Sequence, residues 1–281
     1  MKNKILQISL VGNTNSGKST FLNRVIGKNI SITSKKINTT LESITGVLNR
    51  KNNQILIYDT PGLSFLKSKD QKNKLLKINL WQSIENSKLV LYFIDSKNKN
   101  LILNNDLLKE IKSKNQKIFL ILNKIDLIKK NHLLLKMDYL YRKYNVSNIY
   151  PVSVIKNIGI QKLLDDINKL TIEGNWIYKK HDITDKNDLF ISNEITRESI
   201  LFYLNEEIPY SIVIKNKKWK IIKKSNLVIF QDILIKKIAY KKIILGKNGS
   251  MIKKIREKSQ KKISEFFNKK THLYLNIVYH K

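Results

Sequence analysis

The sequence predicts an α/β domain with a mostly parallel sheet and helices on both faces, followed by a smaller α+β domain. Up to about residue 170, short apolar runs typical of buried strands alternate with segments of helical period, which indicates such a sheet. The alternation then ends and a different order of elements follows. The 281 residues also exceed what one core usually organises. We therefore predict a first domain at 1–172, a linker at 173–186 and a second domain at 187–281.

The first domain opens with an apolar run, KILQISLV, which breaks into a glycine-containing loop and then into a helical stretch beginning at Lys18. Further runs of the buried-strand type predict strands at 54–59, 88–95, 117–123 and 148–153. Segments of helical spacing lie between them at 75–87, 105–113 and 133–144. Strand, loop and helix in this order are what a phosphate site needs.

The second domain follows a segment, TIEGNWIYKKHDITDK, that has neither period and carries turn-forming residues. Beyond it, the pattern predicts a helix at 188–204, strands at 210–214 and 226–235, and a helical piece at 239–244. A glycine loop at 246–249, a basic amphipathic helix at 250–267 and a strand at 272–279 complete the order. The second domain is therefore predicted as helix, strand, strand, helix, helix, strand.

The charge is strongly positive, with 54 basic and 22 acidic side chains and a formal net charge of +32. Only five of the basic residues are arginines, and a lysine excess together with many Asn and Ile residues is also typical of an A/T-rich genome. The distribution is more informative, because residues 215–281 hold 20 basic and three acidic side chains. This concentration predicts a polyanion-binding face near the C-terminus.

Several classes of protein are excluded by composition. The chain has no cysteine, and its four histidines are scattered without ligand spacing, so we expect neither a disulfide scaffold nor a structural zinc site. No segment approaches the roughly 18 consecutive apolar residues of a membrane span. The first apolar stretch is too short for a signal peptide, and we expect a cytoplasmic protein.

A phosphate-binding loop is predicted where Gly12, four further residues and Gly17-Lys18-Ser19 fit the pattern G-x-x-x-x-G-K-[ST]. The glycines let backbone N–H groups point at phosphates, Lys18 reaches the terminal phosphates, and the Ser19 hydroxyl ligates Mg²⁺. The predicted nucleotide-binding residues of this loop are Gly12, Asn13, Thr14, Asn15, Ser16, Gly17, Lys18, Ser19 and Thr20.

Two further motifs stand at the ends of later strands. In the first, the Asp59 carboxylate is placed to hold Mg²⁺ through water and the Gly62 N–H to meet the γ-phosphate. In the second, Asp126 is placed to accept hydrogen bonds from guanine N1–H and the 2-amino group, a pair of donors that adenine lacks. Three motifs in this order predict a domain that binds GTP or GDP with Mg²⁺. The residues added are Asp59, Thr60, Pro61, Gly62, Leu63, Asn123, Lys124 and Asp126.

With these motifs the chain resembles the translation-factor class of GTPases and, within it, the Era family of ribosome-assembly GTPases. The resemblance covers nearly the whole chain and includes SITSKKINTT at 31–40. It implies that Thr40, or else Thr39, is the switch threonine that closes on Mg²⁺ and the γ-phosphate. The basic residue that usually follows in the family is replaced here by Leu41 and Glu42. The implied catalytic set is Lys18, Thr40, Gly62 and Asn15.

Two positions bear on the rate of hydrolysis. Leu63 follows Asp-Thr-Pro-Gly, so there is no glutamine to orient the attacking water, and intrinsic hydrolysis is expected to be slow. The resemblance implies that Asn15 helps to hold K⁺ against the phosphates, and the alternative is an asparagine that caps the loop backbone. A fifth guanine motif is read at Ser153-Val154, with the Val154 N–H meeting the guanine carbonyl.

A KH fold is predicted in the second domain, because Gly246-Lys247-Asn248-Gly249 forms a GxxG loop between two predicted helices. Alone, such a loop also fits any turn between helices. Segments 182–200, 207–214 and 241–255 resemble the second domain of the Era family, which implies a type II KH fold. The predicted RNA-binding residues are Lys241, Lys242, Gly246, Lys247, Asn248, Gly249, Lys253 and Lys254.

The resemblance implies a GTP-driven switch that binds the 3′ end of 16S rRNA and assists assembly of the small (30S) ribosomal subunit. In this hypothesis GTP and Mg²⁺ order the loops 33–42 and 60–70, and hydrolysis releases the RNA. A nucleotide-gated RNA chaperone that barely hydrolyses GTP, and a GTPase acting on the large subunit or on tRNA, stay open. We expect a monomer, with at most a weak peripheral association with the inner face of the membrane.

Overall fold

The computed structural model describes residues 2–32, 43–67, 74–146, 148–204, 212–222 and 226–279. The described residues form two compact units, with the boundary between Asp185 and Lys186. Thr39 and Thr40, which were predicted to act in the switch, lie outside them. No helix within these ranges is both long enough and apolar enough to cross a membrane.

A mostly parallel sheet forms the centre of the first unit. Its strands are β1 (Lys4–Gly12), β2 (Ile44–Arg50), β3 (Asn53–Asp59), β4 (Leu89–Asp95), β5 (Lys117–Asn123), β6 (Ile149–Pro151) and β7 (Ile172–Glu173). In the described part of the chain they form a seven-stranded sheet of order β2-β3-β1-β4-β5-β6, and β7 pairs with β1. Strands β3, β1, β4, β5 and β6 run parallel, as predicted. The antiparallel edge strand β2 was not predicted.

Helices cover both faces of this sheet, as predicted. They are α1 (Lys18–Ile26), α2 (Lys74–Glu85), α3 (Asn105–Ser113), α4 (Lys130–Tyr144) and α5 (Ile160–Asn168). Because side chains alternate along a strand, neighbouring residues of β4 serve different faces. Val90, Tyr92 and Ile94 join a buried cluster with residues of α2, α3 and α4. Phe93 instead meets Phe21 of α1, with ring centroids 5.3 Å apart.

The segment predicted as a linker packs along the first unit. The side chain of buried Gln54 accepts hydrogen bonds from the amides of Ile177 and Tyr178, at 2.9 and 3.0 Å. Further on, the Val47 amide donates to the Ile183 carbonyl at 2.9 Å, which pairs this segment with the outer edge of β2. An exposed strand edge invites unwanted pairing, and this segment covers it.

The second unit has the predicted order of elements. These are α6 (Asp188–Tyr203), β8 (Val213–Ile222), β9 (Asn226–Ile235), α7 (Ala239–Leu245), α8 (Ser250–Phe267) and β10 (Lys270–Tyr279). Among the described residues the sheet order is β10-β9-β8, with β10 parallel and β8 antiparallel to β9. The prediction of a strand at 210–214 was wrong in its extent, because β8 continues through lysine-rich sequence to Ile222.

Candidate functional site

The phosphate loop joins the end of β1 to the start of α1, and its glycines are required by close approaches. A Cβ on Gly12 would lie 2.3 Å from the Phe93 carbonyl oxygen, and one on Gly17 would lie 2.1 Å from Asn123 Nδ2. Both residues also have positive φ, at 145° and 104°. Only glycine fits these two positions, so the backbone curls as the motif predicts.

The Lys18 side chain reaches back to the start of this loop. Its Nζ donates to the carbonyl oxygens of Gly12 and Asn13, at 2.9 and 3.0 Å. Burial lowers the pKa of Lys18 to about 8, against the opposing effect of the nearby Asp59 carboxylate. An ammonium group held away from water and paired mainly with neutral carbonyls favours an incoming anion. Lys18 is thus placed to exchange carbonyl contacts for phosphate oxygens.

Asp59 ends β3 beside the start of α1. Its Oδ2 accepts hydrogen bonds from Ser19 Oγ at 2.6 Å and from Ser31 Oγ at 2.7 Å. Its Oδ1 is buried and has no hydrogen-bond partner among the described residues. Burial raises the pKa of this carboxyl, while the two serine hydroxyls and Lys18 oppose the rise.

These oxygen atoms fit a magnesium ion, which prefers hard oxygen ligands and retains water. An orphaned carboxylate oxygen in a buried site is costly unless a cation or water meets it, and the Ser19 hydroxyl lies on the same carboxylate. Mg²⁺ with a phosphate ligand would use Asp59 and Ser19, as predicted. No cluster of three acidic or histidine residues that could hold a metal occurs in the described ranges.

Ser31 and Asn23 were missed by the sequence analysis. Asn23 accepts hydrogen bonds from the Ile30 and Ser31 amides and donates to the Ser31 carbonyl. All three bonds fix the backbone that presents the Ser31 hydroxyl to Asp59. Nothing local marks Asn23, because its partners lie seven and eight residues away.

The loop that follows Asp59 lies against the phosphate loop. Thr60 Oγ1 donates to the Leu10 carbonyl at 2.6 Å, and a Cβ on Gly62 would be 2.7 Å from the Thr14 amide nitrogen. Gly62 therefore lies directly beside the phosphate loop. The Leu63 side chain packs into the hydrophobic core of the first unit. Pro61 is also buried. A buried leucine offers no hydrogen bond to water.

Asn123 links the phosphate loop to the segment at 153–154. Its Nδ2 donates to the Ser16 carbonyl at 2.8 Å, and its Oδ1 accepts from the Val154 amide at 3.1 Å. The Val154 N–H, which was predicted to meet the guanine carbonyl, thus donates to Asn123 here. The Ser153 hydroxyl accepts from the Lys156 amide. Arg24 further holds this segment through the Val154 and Ile155 carbonyls.

The rest of the predicted base site lies at the end of β5. The Asp126 carboxylate is exposed and lies in a short 3-10 helix, Ile125–Leu127. Lys124 has a left-handed backbone and its Nζ lies 2.6 Å from Asp95 Oδ2. Lys124 is thereby fixed between the two strand ends, and Asp126 is open to a base.

Asn15 stands at the tip of the phosphate loop with a φ of 61°. It lines a cleft of about 200 Å³ together with neighbouring loop residues and the segment after β4. The polar residues of that cleft include Asn13, Thr14, Asn15, Ser16, Asp95, Asn98 and Asn100. Thr20 follows Ser19 in the first turn of α1 and is half-buried.

The GxxG loop lies between α7 and α8, as predicted. A Cβ on Gly246 would lie 2.6 Å from Met251 Cβ, and Gly246, Asn248 and Gly249 all have positive φ. The loop is therefore a tight turn that keeps its backbone close to α8. The five lysines predicted to bind RNA are exposed and have no acidic partner within the described residues: Lys241, Lys242, Lys247, Lys253 and Lys254.

The fold and the sites together define a guanine-nucleotide-binding P-loop protein that carries a KH domain. Residues 7–124 match the family described as "50S ribosome-binding GTPase", and residues 207–281 match the family described as "KH domain". GTPase Era of Rickettsia bellii is 36% identical over 272 residues, covering 97% of this chain and 91% of that protein. GTPase Era of Rickettsia akari is 36% identical over 277 residues, covering 99% and 94%. The chain belongs to the Era family of GTPases, which confirms the resemblance.

Two solved Era structures share the fold over the whole chain. One is Era in complex with MgGDPNP and nucleotides 1506–1542 of 16S ribosomal RNA, with a TM-score of 0.89, 29% identity, and coverage of 99% of this chain and 94% of that one. The other is an Aquifex aeolicus Era variant bound to GDP and AlF4⁻, with a TM-score of 0.89, 29% identity and coverage of 100% and 94%.

Proposed function

We propose that this protein is a GTP-hydrolysing switch that binds 16S rRNA near its 3′ end through the KH domain and assists assembly of the small ribosomal subunit. The observation that carries the proposal is the buried Asp59 carboxylate, with one oxygen on Ser19 and the other orphaned, beneath a glycine loop spanned by Lys18. The similar Era protein with MgGDPNP and 16S rRNA nucleotides supports the choice of ligands.

In this proposal Lys18 and the loop amides bind the β- and γ-phosphates, and water attacks the γ-phosphate. Mg²⁺ supplies charge stabilisation for the phosphoryl group when it is bound. Thr40, or else Thr39, closes on the site, and the Gly62 amide faces the γ-phosphate. Leu63 stands where a glutamine would orient the attacking water, and its buried apolar side chain offers no hydrogen bond there, so intrinsic hydrolysis is slow.

The switch works through the loops 33–42 and 60–70, which GTP and Mg²⁺ order, and hydrolysis releases the RNA. The protein acts as a cytoplasmic monomer, with at most a weak lysine-mediated association with the inner face of the membrane. Two alternatives remain testable: an RNA chaperone that binds GTP but barely hydrolyses it, and a GTPase that acts on the large subunit or on tRNA.

Potassium is expected to stimulate hydrolysis at least about tenfold over sodium at matched ionic strength, because a cation beside the phosphates stabilises developing charge. Asn15→Gly is expected to remove this stimulation while the left-handed backbone stays unstrained. The measurement is phosphate release in KCl and in NaCl. Asn98→Gly, in the same cleft, is the matched control and should keep the potassium effect. Equal rates in both salts for the parent protein would contradict a potassium site.

Charge reversal in the GxxG loop is expected to weaken RNA binding. The double variant Lys247→Asp/Asn248→Asp should raise the Kd for an RNA matching the 16S 3′ end at least about tenfold, because two carboxylates then face phosphates. Aspartate tolerates the left-handed φ of 52° at position 248. Fluorescence anisotropy measures the Kd, and Lys99→Asp/Asn100→Asp, exposed in the first unit, is the control. An equal loss in both variants would indicate only a general charge effect.

A further inference from the structure

The sheet of the second unit has one face that its own helices do not cover. Side chains alternate along β9, and Ile229, Ile233 and Ile235 are buried on the helical side. Ile233 and Ile235 belong to one cluster with residues of α6, α7 and α8. The opposite side chains form what we call the outer sheet face, which includes Lys215, Lys217, Lys218, Lys220, Phe230 and Tyr274.

A stacked aromatic pair lies at the centre of the outer sheet face. Phe230 and Tyr274 are direct partners across β9 and β10, with ring centroids 4.6 Å apart and planes 13° apart. They are 37% and 52% exposed, although large aromatic side chains are usually more buried. Lys218 lies across β8 with its Nζ 5.6 Å from the Phe230 centroid. Because β10 is the edge strand of the described sheet, the far side of the Tyr274 ring faces no further strand.

The charge of the outer sheet face is positive. Four lysines of β8 are exposed on it: Lys215, Lys217, Lys218 and Lys220. The acidic side chain of Asp232 lies beside these lysines, and both of its carboxylate oxygens contact other residues of the outer sheet face. Lys217 Nζ lies 3.4 Å from Asp232 Oδ2, and Asn276 Nδ2 donates to Oδ1 at 3.3 Å. The remaining lysines are therefore available to an anion.

We propose that the outer sheet face is a second binding site for single-stranded RNA, separate from the GxxG loop. A base stacks on the open side of Tyr274 and extends the row formed by Tyr274, Phe230 and Lys218. The β8 lysines hold the phosphates. Aromatic rings beside lysines suit RNA because every base has a flat face that stacks and every linkage carries a charge. Binding is sequence-tolerant, since stacking reads no hydrogen-bond pattern.

The two RNA sites lie on different sides of the sheet. Ile244 of α7 and Ile255 of α8, which flank the GxxG loop, are buried in the cluster on the helical side. A KH groove takes about four nucleotides, so a strand of that length binds at the GxxG side alone. A longer strand reaches both sites. This inference rests on the proposed RNA binding. The length of the RNA strand distinguishes binding at the GxxG loop alone from binding at both sites.

The test uses the full-length protein with fluorescein-labelled oligouridylates of about 4 and about 16 nucleotides. Phe230→Thr/Tyr274→Thr keeps β propensity and removes the rings. We expect at least about a tenfold loss of affinity for the long strand, equivalent to roughly 1.4 kcal/mol, with the short strand unchanged. Tyr279→Thr is the matched control, because Tyr279 is 48% exposed on the same strand but belongs to the other alternation. It should bind both strands as the parent does.

A second measurement needs no variant of the face. A long strand containing 5-bromouridine is irradiated on the parent protein, and a crosslink at Tyr274 or Phe230 is expected by mass spectrometry. Unchanged long-strand affinity of the double variant, or an equal loss in Tyr279→Thr, overturns the proposal. So does a loss confined to binding of phosphatidylglycerol vesicles, which would make the face a lipid surface. Failure of the parent to bind the long strand would also overturn the proposal, whereas failure to bind an RNA matching the 16S 3′ end would overturn the proposed RNA function itself.

Discussion

Asp126→Asn is expected to lower the affinity for GTP about 100-fold or more and to raise the affinity for xanthosine triphosphate. The exposed carboxylate is predicted to accept from two donors of guanine, and each charge-assisted bond is worth roughly 1.5–3 kcal/mol. An amide presents its own NH₂ donor to those donors. Xanthine carries a carbonyl at the position of the 2-amino group, so it accepts from the amide. Competition against a fluorescent nucleotide gives both affinities.

The control for this specificity change is Asp138→Asn, an equal loss of charge at an exposed site on α4. It should leave both affinities unchanged. A parallel loss for GTP and xanthosine triphosphate would mean that the substitution damages the site as a whole. Unchanged GTP affinity would show that Asp126 does not read the base, and the guanine assignment would then rest on the other motifs alone.

The predictions from sequence that succeeded depend on local physics. Gly12 and Gly17 are needed because a Cβ would collide with backbone or with Asn123, and glycine is visible in the sequence whatever surrounds it. The parallel strands were found because strands buried on both faces are continuous apolar runs. The GxxG loop was found for the same reason as the phosphate loop, since positive φ at Gly246 and Gly249 restricts the residue type.

The features that the sequence did not predict depend on partners that are distant in the chain. β2 has polar residues at Thr45 and Asn49 and no continuous apolar run, because it is an edge strand whose pairing with β3 gives it its structure. In β8, apolar and lysine residues should alternate, but a bulge between Asn216 and Lys218 breaks the period of two. The predicted strand therefore ended at residue 214, before the lysine run. The Asp59 contact with Ser31 crosses 28 positions and leaves no local signal.

The same dependence explains why the aromatic row on the outer sheet face has no sequence signature. Phe230 and Tyr274 are brought together only by the parallel register of β9 and β10. Trp219, by contrast, is paired with Ile229 and lies on the helical side of the sheet, where its ring meets Phe267 of α8 edge to face, with ring centroids 5.5 Å apart. An aromatic residue in the sequence does not show whether its ring packs in the core or lies on the outer sheet face. The side of the sheet on which the residue lies decides between these roles.

Asp59→Asn is expected to separate stability from activity. Burial raises the pKa of Asp59, so the folded state binds a proton more readily than the unfolded state and loses stability as pH rises through that range. The ionised form of this buried carboxylate therefore destabilises the nucleotide-free fold relative to the protonated form. The neutral amide still accepts hydrogen bonds from Ser19 and Ser31 through its oxygen. We expect the free energy of unfolding to stay the same or rise by about 1 kcal/mol.

Activity is expected to change in the opposite direction, because an amide is a much poorer partner for a hydrated magnesium ion than a carboxylate. Magnesium-dependent hydrolysis should fall about 100-fold or more in single-turnover measurements, with denaturant unfolding of the nucleotide-free protein measured alongside. Asp165→Asn, exposed on α5, changes the charge equally and should alter neither quantity. A loss of several kcal/mol in stability, accompanied by the loss of activity, would instead make Asp59 a structural residue. A stable, inactive variant would mean that the buried carboxylate lowers the stability of the nucleotide-free fold and is kept because it binds the metal.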